Sequence, residues 1–115
     1  MADVLREYGA APVRVFVVWE PVLATDWGNP GAAMTSYIPD PRAIHFWDPG
    51  RRLSALYGGP ANLPRLAATQ KAGFHMKDVV WDTALVYPPG LKWGAPATLL
   101  VAPVVKHRSD LAAAL

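Results

Sequence analysis

Cysteine is absent from all 115 residues. Thiolate nucleophiles, disulfides, zinc–thiolate sites and iron–sulfur clusters are excluded with it. Charge is sparse as well: 17% of the residues are charged, scattered singly or in pairs such as Arg51–Arg52. A nucleic-acid surface concentrates basic residues and interleaves aromatics, so no nucleic-acid partner is expected despite the net charge of +2. No apolar run approaches the ~18 residues of a membrane span, and Asp3, Arg6 and Glu7 interrupt any signal-peptide core. A cytoplasmic protein with no membrane partner is the expectation. The chain also lacks a glycine-rich phosphate loop, because Gly58–Gly59 closes a helical pattern instead of opening one. Ser36, Ser54 and Ser109 sit in no G-x-S-x-G elbow. His45, His75 and His107 form no i,i+4 pair and have no carboxylate at metal-ligand spacing. No catalytic residue, metal or cofactor is therefore expected.

What is present is apolar: 52% of the chain, enough for one domain over 1–115 with a real core. Twelve prolines and nine glycines imply many turns and short elements. Residues 3–8 read as a helix with Asp3 as N-cap and Gly9 just past its end. Val13–Trp19 is β-branched and aromatic, with Arg14 its only polar member, and reads as a strand buried on both faces. The stretch 20–42 is loop-rich, with room for one helix near Gly31–Tyr37. Ala43–Trp47 is a second strand, Asp48–Pro49–Gly50 a turn and Arg51–Tyr57 a helix. A further helix is expected around Pro64–Lys71. Thr83–Tyr87 and Thr98–Pro103 are too close for a helical crossover and should form an antiparallel hairpin. Ser109 is expected to cap a last helix. The order describes an α/β layered domain.

That order resembles the thioredoxin-like superfamily, nearer its peroxiredoxin and TlpA-type branch than the small thioredoxins. The resemblance rests on HFWDPGRRLSALYGG at 45–59, which is similar to the family's strand–Asp–Pro–helix–Tyr–Gly segment, and on Thr83 and Gly90 of the following hairpin. It implies a mixed sheet of about four strands with flanking helices, missing the usual central Cys-bearing strand. The family's active-site strand and cysteine turn precede its first helix, and this chain is expected to lack both. The alignment also puts Trp81 where the family has a cis-proline, and Trp does not replace cis-proline cheaply. Thiol–disulfide exchange and thiol peroxidase chemistry are excluded. Strand edges left by the missing strand would be unpaired, so a homodimer completing the sheet by strand exchange or extension is expected. The alternative is that the chain is part of a unit whose missing strand another protein supplies.

Four tryptophans adjoin an acid: Trp19–Glu20, Asp26–Trp27, Trp47–Asp48 and Trp81–Asp82. Ligands of open α/β sheets collect beyond the carboxyl ends of parallel strands. Trp19–Glu20, Trp47–Asp48 and Trp81–Asp82 would converge on one such rim, with Asp26–Trp27 in the loop above. Aromatic walls with carboxylates suit a small cationic or aromatic ligand. On the other reading the indoles plug the end of the sheet and the acids form turns or caps, as Asp48 before Pro49–Gly50 would do. The function expected is a redox-inactive binding or interaction module. A small-molecule-binding protein or enzyme of unknown class, using the Trp–carboxylate rim, is the alternative.

Overall fold

The β-branched run of 15–19 and the AIHFW segment of 43–47 pair side by side, and around them the first of two compact units is built, Met1–Arg52 with Leu115. The computed structural model describes residues 1–26, 28–57, 68–69, 71, 75–76, 79–91 and 95–115. The first unit contains α1 (Ala2–Glu7), β1 (Val15–Trp19), α2 (Ala32–Thr35) and β2 (Ala43–Trp47). The second, Leu53–Ala114, takes in most of α3 (Arg52–Tyr57). It continues through β3 (His75–Met76), β4 (Val79–Val80), β5 (Ala84–Val86), β6 (Leu99–Val101), a 3₁₀ turn (Val104–Lys106) and α4 (Arg108–Ala113). The chain is thus mixed α/β, with small sheets. Among the described residues the strands pair two by two: β1 with β2, β3 with β4 and β5 with β6.

β1 and β2 are parallel, with Val15 opposite Ala43 and Trp19 opposite Trp47. Parallel strands need a crossover between them, and residues 20–42 supply it. Val15, Val17 and Trp19 share one face with Ala43, His45 and Trp47, all half-buried. The opposite face carries Phe16, Ile44 and Phe46, which are 60%, 48% and 47% exposed. The expectation of a strand buried on both faces is corrected here. An unbroken apolar run has no alternation to show which side is covered, and one side of this sheet is open.

Six residues make a marginal helix on their own, and α1 is held from outside. Arg42, ahead of β2, donates to the carbonyls of Leu5 (2.7 Å), Tyr8 (3.0 Å) and Ala11 (3.0 Å). Its remaining donors grip Asp40 through Nε (2.9 Å) and the guanidinium nitrogen nearest Oδ2 (2.8 Å). The Leu5 carbonyl, in the last turn where carbonyls lack an intrahelical partner, thus gains a cationic donor, as do those of Tyr8 and Ala11 just beyond. Asp3 does not cap α1: Met1 stands at the N-cap, and Asp3 lies in the first turn, paired with Arg6. Tyr8 rather than a left-handed glycine ends the helix.

In the second unit β5 and β6 form the expected antiparallel hairpin, Leu85 opposite Leu100. β6 has hydrogen-bonded neighbours on its other side too: Leu100 N–H donates to Thr69 and Lys71 N–H to Leu100, at 2.8 and 3.1 Å. Flanked on both sides, Leu99, Leu100 and Val101 are buried and form this unit's core with Val79, Ala97, Ala102 and Leu111. Ser54 of α3 is buried with them and accepts the Val80 N–H at 3.0 Å. α4 begins after His107, not Ser109. Most of the expected Pro64–Lys71 helix lies outside the described residues.

Candidate functional site

The register of the parallel pair decides what meets at its carboxyl end. Trp19 and Trp47 are direct partners, so Glu20 and Asp48 leave the sheet side by side. The Asp48 N–H donates to the Trp19 carbonyl at 2.9 Å, extending the ladder one step beyond the strands. A turn then closes through Arg51 N–H to Asp48 carbonyl (3.2 Å), with Arg51 left-handed at φ 51 before α3 starts at Arg52. The sequence pattern predicts a start at Arg51, one residue earlier than α3 begins. Left-handed backbone disfavours a side chain, and here it lies next to Gly50.

Below this end, the Trp19 indole N–H donates to His45 Nδ1 at 3.1 Å. An indole nitrogen only donates, so Nδ1 carries the lone pair and the proton sits on Nε2. That nitrogen is 3.3 Å from the Ile38 carbonyl, to which it donates. The two rings lie only 11° from parallel with centroids 6.0 Å apart. The histidine therefore works inside the sheet, and its bonds fasten β1, the crossover and β2 together.

Of the four Trp–acid pairs, the structure brings Trp19–Glu20 and Trp47–Asp48 together. Asp26 is turned into its own loop, accepting from Leu23 N–H (2.8 Å) and the Thr25 hydroxyl (3.3 Å). Trp27 lies outside the described residues. Trp81 and Asp82 belong to the second unit and form a corner there. Asp82 is left-handed (φ 46), its carbonyl accepts Val104 N–H (3.0 Å), and the Thr83 hydroxyl donates to the Trp81 carbonyl (2.8 Å).

A further polar cluster lies outside the sequence expectations. His107 Nδ1 is 2.9 Å from Asp110 Oδ2, and Lys71 Nζ is 3.7 Å from Oδ1. The His107 hydrogen bond, with Lys71 beyond it, holds the Asp110 carboxyl below the usual carboxylate range. This cluster borders an open cleft of about 380 Å³ that Thr69, Thr98 and Leu99 also line. The i,i+3 spacing of His107 and Asp110 at a helix start is the sequence signal for it. Elsewhere in this unit burial, and secondarily a hydrogen bond to Tyr87, pushes the Tyr57 phenol above the usual tyrosine range. Among the described residues there is no group of three metal-ligating side chains, and no helix is long and apolar enough to cross a membrane.

No protein-family description, no curated protein and no solved structure matches the chain.

Proposed function

We propose that this chain is a redox-inactive interaction module, thioredoxin-like in descent, that assembles as a homodimer through the β1–β2 face. The observation that supports this is the exposure of Phe16, Ile44 and Phe46 together on one side of a parallel strand pair. Parallel sheets are ordinarily covered on both faces. A contiguous exposed apolar strip marks a contact surface. Phe16 and Phe46 already touch, with ring centroids 6.1 Å apart. The strip carries no charge, so two copies can meet across a two-fold axis without repulsion. The test is absolute mass by light scattering across a tenfold range of concentration. A dimer that Phe16→Asp dissociates, with far-ultraviolet circular dichroism unchanged, supports the reading. A monomer throughout overturns it.

A second reading rests on the Trp19–Trp47 register. Two indoles with Glu20 and Asp48 beside them form part of a rim for a small cationic or aromatic ligand. Saturable quenching of tryptophan emission by such a ligand, lost in Glu20→Gln, is the outcome that favours it. Blue-shifted emission indifferent to ligands favours indoles that only close the sheet.

A further inference from the structure

His45 has both ring nitrogens committed to uncharged partners of opposite kind. The Trp19 indole can only donate and the Ile38 carbonyl can only accept. With these partners at 3.1 and 3.3 Å, a single protonation state satisfies both contacts: the neutral ring with its proton on Nε2. An imidazolium carries N–H on both nitrogens. Its Nδ1–H would face the indole N–H at hydrogen-bond distance, donor against donor, and one ring would have to move. The titratable and charged side chains on the joined stretches are Arg14, Glu20, Asp26, Tyr37, Asp40, Arg42 and Asp48. Asp40 and Arg42 bond each other and Asp26 is held in its loop. Both groups that meet the ring nitrogens are neutral.

We infer that Trp19–His45–Ile38 is a pH-sensitive latch, closed while His45 is neutral and opened when Nδ1 takes up a proton. Opening frees the Trp19 indole at the carboxyl end of the sheet, beside Glu20, Trp47 and Asp48, and breaks the hold of β2 on the crossover. The contact is present while the ring is neutral and is lost on acidification once Nδ1 takes up a proton. This inference rests on the two ring contacts and is independent of whether the chain dimerises.

Long-range ¹H–¹⁵N correlation of the imidazoles in the intact protein reads the tautomer directly. The expected result at neutral pH is a His45 ring with bare Nδ1 and protonated Nε2. The Trp19 indole resonance, assigned with Trp19→Phe, should stay fixed while His45 is neutral and move as His45 protonates. That movement should vanish in His45→Gln and persist in His107→Gln. Three results overturn the latch: a His45 proton on Nδ1 at neutral pH, a Trp19 indole indifferent to His45 protonation, or a ring that stays neutral until the protein unfolds. The tautomer and the titration are both read on the unmodified chain, so the outcome stands even where His45→Gln folds poorly.

Discussion

Arg42 spends all five of its N–H donors: three bonds go to the backbone of residues 5–11 and two to the Asp40 carboxylate. Its side chain is 19% exposed and that of Asp40 12%, so these bonds are shielded more than those of an ordinary surface pair. Lysine has three donors and no planar fork. Arg42→Lys is therefore expected to lower the urea midpoint nearly as much as Arg42→Ala, and both by more than Arg6→Ala, whose partner Asp3 is exposed. The Asp40 side of the clasp is pH-dependent. Hydrogen bonds from Arg42 hold its carboxyl at about 2, against an ordinary 3.8. A depressed folded-state value adds stability above the unfolded value and loses it as pH falls through the folded one. Denaturation midpoints should thus decline between about pH 4 and pH 2, and that part of the decline should be missing in Asp40→Asn.

At the scale of elements, the two units differ in how their strands are shielded. β6 is enclosed, and Leu100→Ala should cost about 2–5 kcal/mol in denaturant unfolding, because the cavity has neighbours on both sides. The corner at Asp82 is held in left-handed backbone. Asp82→Gly is expected to leave stability within about 0.5 kcal/mol or raise it, and Asp82→Val to cost roughly 1–3 kcal/mol. β1, β2 and the β5–β6 hairpin were legible in the sequence, since β-branched runs bounded by Pro and Gly announce themselves locally. The two-residue strands His75–Met76 and Val79–Val80 were not, because so few residues show no period. The open face of β1–β2 was hidden by its own composition: Phe16 and Val17 look alike in a pattern, though their side chains point to opposite faces. In the candidate rim, Trp19 and Trp47 are register partners at the ends of β1 and β2. Adjacency in sequence does not show the local hydrogen bonds that Asp26 accepts within its loop, or the left-handed backbone at Asp82. His45 as a partner for Trp19 lies 26 residues away, beyond any local signal.

For the molecule as a whole, the proposed dimerisation through the Phe16–Ile44–Phe46 face would tie stability to concentration. Association of folded copies draws the equilibrium away from the unfolded chain. The thermal midpoint should therefore rise with protein concentration, and Phe46→Asp should flatten that dependence. A midpoint indifferent to concentration argues for a monomer. The clasp on α1 also bears on the order in which the chain can become structured. Leu5 and its guanidinium partner are separated by 37 positions. During synthesis the N-terminal turn leaves the ribosome long before Arg42 does, and a helix of six residues does not persist by itself in water. α1 thus settles no earlier than Arg42 becomes available: its residues emerge before the arginine and wait as coil until it arrives to close over them.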